Sequence, residues 1–465
     1  MLYENCIVPH SLTQLATRDG LHGAERALAM AALAIGVGLA ALDTAIVNTA
    51  LPGIAHSLGA TPAASVWIIS VYQLAMIATM LPFAALGEIV GYRKVSIGGL
   101  LLFTVASAAC AAAWSLPALV LARLLQGLGA SAVMGVNTAL LRAIYPSRLM
   151  GQGMGSNALI VATGFAIGPT AASLILSLSA WPWLFAINVP LGLLGIVLAL
   201  RYLPATSLAS HHFDVRTALF NAGAFGLLVL AMGEGAHAAP LPVIALELAG
   251  AAAFFALLLH RQRGHPAPML PIDLFRRPLF ALSVVTAVCT FAAQSLAFVS
   301  LPFYFEHVLG RSPVETGFLI TPWAVMVGVM APIAGRLSDR YPPGLLGGAG
   351  LLALAAGLVS LLLMPAAPSS LAICWRMALC GLGFGFFQAP NLKAIMSSAP
   401  AARAGGASGI VATARLVGQA GGAALVALCF TVAGAGGTSW ALGLGAASAA
   451  LASVASFARL AVQKQ

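Results

Sequence analysis

The sequence predicts an all-α polytopic membrane protein: two six-helix halves with two further helices inserted between them, fourteen transmembrane helices in all. Three observations lead there. The 465-residue chain is 60% hydrophobic and only 7% charged, against about 25% charged in a soluble globular domain. Windows of about 19 residues pick out long apolar runs, each near the ~20 residues that cross a hydrocarbon core at 1.5 Å per residue. The first and last thirds of the chain also repeat one another.

The apolar runs fall near residues 27–51, 65–87, 94–114, 117–141, 152–176, 183–202, 216–235, 240–260, 279–303, 314–335, 344–364, 370–392, 405–430 and 439–459. Loops after the even-numbered runs hold Arg93, Lys94, Arg142, Arg148, Arg201, Arg216, Arg261, Arg263, Arg276, Arg277, Arg336, Arg340, Lys393 and Arg403, whereas the alternate loops hold only Arg311. By the positive-inside rule, the even loops and both termini are expected in the cytoplasm. This placement accounts for the net charge of +10, so no nucleic-acid partner is expected. Residues 1–26 hold Glu4, Arg18, Asp19, Glu25 and Arg26 without an apolar core; no cleaved signal peptide is expected, and the first run would direct insertion. Of six cysteines, all but Cys6 lie in apolar runs without metal spacing. They read as buried free thiols, with no metal or cofactor.

The repeat rests on a shared frame. Leu51-Pro52 recurs as Leu301-Pro302 and Val161-Ala162-Thr163 as Val411-Ala412-Thr413, both at an offset of 250 that also pairs Gly168 with Gly418. Arg123, before Gly127-Leu128-Gly129, has a counterpart in Arg376 before Gly381-Leu382-Gly383. Such a parallel repeat relates the halves of transporters about an axis along the membrane normal. It divides the chain into an N-terminal cytoplasmic segment 1–26, a six-helix half 27–202, an inserted pair with flanking loops 203–278, a second half 279–460 and a tail 461–465.

In chain order, the first chemistry is in run 1. Asp43 sits about sixteen residues in, hence ~24 Å along the helix and inside the bilayer. A carboxyl there costs at least ~2.5 kcal/mol on insertion scales and faces a cavity or a partner. The loop after run 2 reads Gly87-Glu88-Ile89-Val90-Gly91-Tyr92-Arg93-Lys94, and Gly335-Arg336-Leu337-Ser338-Asp339-Arg340 follows run 10. The two are either paired charge latches between the halves or solvated turns, with Gly91 suited to positive φ. Arg123, about six residues into run 4, either snorkels to the surface or faces the interior. In run 5, Gly164 and Gly168 permit close helix packing and Pro169 removes a backbone donor. Glu234 and Glu247 lie near the ends of runs 7 and 8, where snorkelling accounts for them. Arg376 and Arg415 fall inside runs 12 and 13. Asn48, Trp67, Tyr72, Gln73, Asn137, Asn157, Gln294, Trp323, Gln388 and Asn391 are candidates to line a substrate site, aromatic faces being suited to lipophilic cations; Trp and Tyr also serve as interfacial anchors.

Two such loops, two six-helix halves and a midplane acid resemble the major facilitator superfamily. The first loop resembles that family's motif A, with Glu88, Gly91, Arg93 and Lys94 in the motif positions, Ala84 for its first glycine and Ile89 for an arginine; Gly335, Asp339 and Arg340 form the second copy, with Pro342 for glycine. Leu42-Asp43-Thr44-Ala45-Ile46-Val47-Asn48-Thr49-Ala50-Leu51-Pro52 resembles the hallmark of the fourteen-helix drug:proton antiporter branch. The Arg123 stretch resembles motif B, whose arginine assists proton movement in the central cavity. Gly164-Phe165-Ala166-Ile167-Gly168-Pro169 resembles the antiporter motif C, with Ala172-Ser173 for its terminal glycines.

The resemblance implies a proton-coupled multidrug exporter in a bacterial inner membrane, working as a monomer on small molecules and protons within the lipid bilayer. Asp43 and Arg123 would couple protons. Asp43, Asn48, Trp67, Tyr72, Gln73, Asn137, Gln294, Trp323 and Gln388 would bind a hydrophobic, cationic substrate. A second reading is a carrier for an anionic metabolite, since Arg123, Arg376 and Arg415 outnumber secure midplane acids and arginines recognise carboxylates. No HExxH, P-loop or nucleophile–base constellation appears, so an enzyme is not expected.

Overall fold

The computed structural model describes residues 20–146, 149–206, 208, 213–236, 239–262, 272–338, 340–399 and 404–462. Every expected run is a helix: α1 (Gly23–Ser57), α2 (Trp67–Val90), α3 (Tyr92–Ala111), α4 (Leu116–Ile144), α5 (Met150–Leu178), α6 (Asn188–Tyr202) and α7 (Val215–Ala236). The remainder are α8 (Leu241–Gln262), α9 (Pro278–Phe303), α10 (Pro313–Leu337), α11 (Pro343–Leu362), α12 (Ser370–Ser398), α13 (Ala404–Ala433) and α14 (Gly437–Val462). Among the described residues, fourteen helices are long and apolar enough to cross a membrane.

Several ends are written in the sequence. Ser312 and Glu315 close a capping box at the start of α10, and Ser115 and Ser369 accept backbone N–H groups at the starts of α4 and α12, satisfying donors that have no partner within the helix. Gly91, at φ +100, ends α2 in backbone that L side chains rarely adopt. Pro52 does not end α1, which runs on to Ser57 with the proline inside. A proline forfeits one ladder bond but does not stop a helix whose neighbours hold it. Its counterpart Pro302 lies at the end of α9, which passes into a π-helical turn over Tyr304–Val308.

The halves repeat one another in their glycine contacts. A Cβ on Gly127 of α4 would meet Tyr72 of α2 at 2.6 Å, and one on Gly381 of α12 would meet Trp323 of α10 at 2.1 Å. Gly129 lies on Gly99 and Phe103 of α3 as Gly383 lies on Gly350 and Leu354 of α11. The α5 glycines correct the expected frame by one turn. Gly164 rests on the Gly38 carbonyl and Ala41, and Gly418 of α13 rests on the Val288 carbonyl and Phe291 of α9. Gly168 rests on Ala45, and Gly422 on Ser295. The structural partner of Gly168 is therefore Gly422, not Gly418; four extra residues precede α13's packing face.

The halves touch toward the arginine-poor face. There Thr170 of α5 and Thr321 of α10 share a hydrogen bond of 2.8 Å, and Gly317 of α10 lies against Ser173 and the Pro169 carbonyl. Leu51 and Ile54 of α1 join one apolar cluster with Val299 and Phe303 of α9 and Val426 of α13. Of the inserted pair, α7 lies against both halves: Asn221 donates to the Ala78 carbonyl of α2 at 3.1 Å, and Gly421 of α13 faces Met232. Only Ala251 and Leu258 of α8 are buried, so α8 is the outer layer. Asp214 links the pair, accepting from Arg261 at 2.9 and 3.2 Å. The arginine's hydrogen bonds hold the Asp214 carboxyl well below the usual carboxylate range.

Candidate functional site

Asp43 is 1% exposed and enclosed by donors from two other helices. Arg123 Nη1 of α4 donates to its Oδ2 at 2.5 Å. Its Oδ1 accepts from Gln126 Nε2 of α4 at 2.8 Å and from Asn188 Nδ2 of α6 at 3.1 Å. Gln126 lies three residues beyond Arg123, so both face α1 from one side of α4. Arg123 is equally buried; it also donates to the Ile68 carbonyl at 3.1 Å and to Gln126 Oε1 at 2.6 Å. Its guanidinium stacks 4.1 Å from the Tyr72 ring centre, with Phe185 at 5.8 Å. Arg123 thus faces the interior and does not snorkel. A buried charge pair is costly unless further hydrogen bonds support it, and here Gln126, Asn188 and the Ile68 carbonyl supply them.

Beside this cage lies a small cavity between α1, α2, α4, α5 and α13. Its polar and aromatic walls are Thr44, Tyr72, Gln73, Phe165, Arg415 and Gln419. Asp43 is not among its walls. Tyr72 touches both sites: it lines the cavity, and the Arg123 guanidinium lies over its ring. Arg415 is the one charged residue in the lining, and its buried Nε has no hydrogen-bond partner.

The other expected lining residues lie elsewhere. Trp67 packs on Gly233 of α7. Asn137 donates to Asn157 of α5 at 3.0 Å. Trp323, fully buried, stands edge-on to Phe298 with ring centres 5.0 Å apart. Asn48 is buried with its Oδ1 unpartnered, and Gln294 and Gln388 are half-buried outside the cavity walls. Positions chosen by depth along a helix do not all reach one cavity, because side-chain direction around a helix is set by packing. In the loop after α2, Glu88 and Lys94 are exposed, while Arg93 donates to the Leu200 carbonyl of α6, a bond within its own half. Gly335 is half-buried and Arg340 exposed; Asp339 lies outside the described residues. Gly164, Gly168 and Pro169 form the close contacts of α5 with α1 and α10.

Sequence reading missed Gln126, Asn188 and Arg459. Arg459 of α14 is 0% exposed. It donates to Asn391 Oδ1 of α12 at 2.7 Å and Ser283 Oγ of α9 at 3.1 Å, and to Ser456. Arg376, the repeat counterpart of Arg123, donates to the Ser360 and Ala372 carbonyls at 2.9 and 2.6 Å and lies 4.5 Å from the Trp375 ring centre. At the position matching Asp43 stands buried Ala293, so the cage is confined to the first half.

Comparison with known proteins bears on the family. Over 444 residues the chain is 49% identical to the uncharacterized transporter YebQ of Escherichia coli (strain K12), covering 95% of this chain and 97% of that one. It is 30% identical to the riboflavin transporter RibZ of Clostridioides difficile (strain 630), over 82% and 83% of the two chains. It is 32% identical to the multidrug resistance protein Stp of Mycobacterium tuberculosis (strain CDC 1551 / Oshkosh), over 84% and 73%. The model of the Major Facilitator Superfamily matches residues 33–423. With its fourteen apolar helices, the chain is a multi-pass membrane transporter of the Major Facilitator Superfamily.

Proposed function

We propose that the protein exports hydrophobic small molecules in exchange for protons, by rocking of its halves about the cavity beside Tyr72. The observation that carries this is Asp43, the one acidic residue buried as a whole among the described residues, held by Arg123, Gln126 and Asn188 one ring away from the cavity. The Arg123 contact depends on the ionised acid, since a proton on Oδ2 leaves Oδ1 as a carbonyl oxygen that still accepts from Gln126 and Asn188. A proton on Asp43 removes the charge that holds Arg123, which keeps its bonds to Ile68 and Gln126 and can change its stacking on Tyr72. Protonation thereby reaches the cavity through Tyr72, a local charge event acting on a packed element with two arrangements.

The multidrug and riboflavin relatives are consistent with aromatic, hydrophobic cargo. A cationic substrate drew its support from Asp43 as counter-ion, and Asp43 is committed to Arg123. Arg415 favours the second reading, in which the cargo carries negative charge. The test uses proteoliposomes loaded with ethidium, riboflavin or an aromatic carboxylate, with and without a protonophore. Gradient-dependent export of at least one, lost in Asp43→Asn while the variant still inserts and binds it, is expected. Export indifferent to the protonophore refutes proton coupling.

A further inference from the structure

Arg415 enters the cavity from α13, the one wall contributed by the second half. Its Nε is buried without a hydrogen-bond partner. Among the described residues no carboxylate pairs with it: Asp43 is taken by Arg123 and Asp214 by Arg261. Arg415 as a whole is half-buried, but an Nε–H withdrawn from water with an unmade bond costs free energy until an acceptor arrives, and the planar fork matches a carboxylate or another flat anion. Around it, Tyr72 and Phe165 offer ring faces, and Gln73 and Gln419 offer amides. Gln73 Oε1 is likewise buried without a partner, so the site holds an unused acceptor as well as an unused donor. The Asp43–Arg123 pair behind Tyr72 is neutral as a unit, and so leaves the cavity's charge to Arg415.

We infer that the cavity binds a planar aromatic compound bearing an anionic group, with Arg415 as its counter-ion and the rings of Tyr72 and Phe165 against its faces. This rests on the proposal that the cavity is the cargo site, and it replaces the cation expected from Asp43 with an anion. It also gives the half-to-half motion a handle. Arg415 is on the second half and Tyr72 and Phe165 on the first, so an anion held by all three bridges the halves.

The test is direct binding to the full-length protein in nanodiscs, with no proton gradient, so that failure of coupling and failure of this inference are separable. The probes share one ring system: naphthalene-2-carboxylate, its carboxamide, and 2-(aminomethyl)naphthalene as the ammonium. Wild type is expected to bind the carboxylate about tenfold tighter than the amide and the ammonium weakest, the scale of one charge-assisted bond. Arg415→Gln is expected to bring carboxylate and amide to within about threefold while leaving amide affinity unchanged, and Arg415→Lys to keep part of the preference, since a lysine retains the charge but not the fork. Arg376→Gln, away from the cavity, should keep the full preference. A carboxylate that binds no tighter than the amide to wild type overturns the inference. So does an Arg415→Gln variant that keeps the preference, or one that weakens all three probes alike, which is the mark of a merely structural arginine.

Discussion

Asp43 and Arg123 can be tested as a unit by a double-mutant cycle on stability. Asp43→Asn keeps the shape of the side chain but leaves Arg123, 1% exposed, with a neutral neighbour. Arg123→Gln leaves the Asp43 carboxylate buried on two neutral donors, at 2.8 and 3.1 Å, and strips the Ile68 carbonyl of its donor. Removing one member of a buried pair costs ~3–5 kcal/mol, and the bonds that survive here place each single variant near ~3. Asp43→Asn/Arg123→Gln has no buried charge, so its loss should also stay near ~3 kcal/mol instead of the ~6 of independent sites, a coupling of about 3 kcal/mol. At about 2 °C per kcal/mol for a large chain, the expected drop in Tm is about 6 °C in all three variants. A thiol-reactive dye on purified protein reads it out, because Cys110 and Cys380 are buried free thiols exposed on unfolding. A drop of about 12 °C in the double variant would refute the pairing as an energetic unit.

Three further outcomes follow from other parts of the fold. Gly168→Val places a Cβ 2.3 Å from the Ala45 Cβ, so α5 must shift off α1; an overpacking loss of ~1–3 kcal/mol, read as a lower Tm, is expected, and an unchanged Tm contradicts the close contact. Thr170→Cys/Thr321→Cys replaces hydroxyls 2.8 Å apart; oxidation should cross-link the halves and stop transport, and reduction should restore it, whereas free transport in the cross-linked protein refutes opening at that face. Asp214→Asn removes a carboxyl held below the usual carboxylate range by Arg261. A depressed folded pKa stabilises above the unfolded value of about 3.9 and is lost as pH falls through the folded value. The Tm gap between wild type and variant should therefore be constant from pH 8 to pH 5 and narrow only below about pH 4.

The helices were legible because a membrane leaves few alternatives: a run of ~20 apolar residues must satisfy its own backbone and so spans as a helix. Asp43 was legible for the same reason, as a carboxyl where solvation is dear. Its pairing with Arg123, 80 residues away, was not, since that depends on rotation of α4 against α1. Gln126 had a signal, lying three residues from Arg123 on the same face. Asn188 had none, because it opens α6 beyond a short helix at Trp183–Ala186. Arg459 went unremarked because an arginine in the last turn of α14 carries no sequence signal of burial; only packing shows it buried on Ser283 and Asn391. The Gly168 register failed because sequence matching followed Val161-Ala162-Thr163, while the glycine contacts of α5 and α13 follow a frame one turn longer.

The most direct test of the account is proton movement itself. Proteoliposomes with a preset pH gradient and an internal pH dye are given the cargo that wild type exports. Wild type should dissipate the gradient on cargo addition, and Asp43→Asn should not, while still exchanging labelled for unlabelled cargo across the membrane. Gradient dissipation by Asp43→Asn at the wild-type rate would contradict the assignment of Asp43 as the proton carrier.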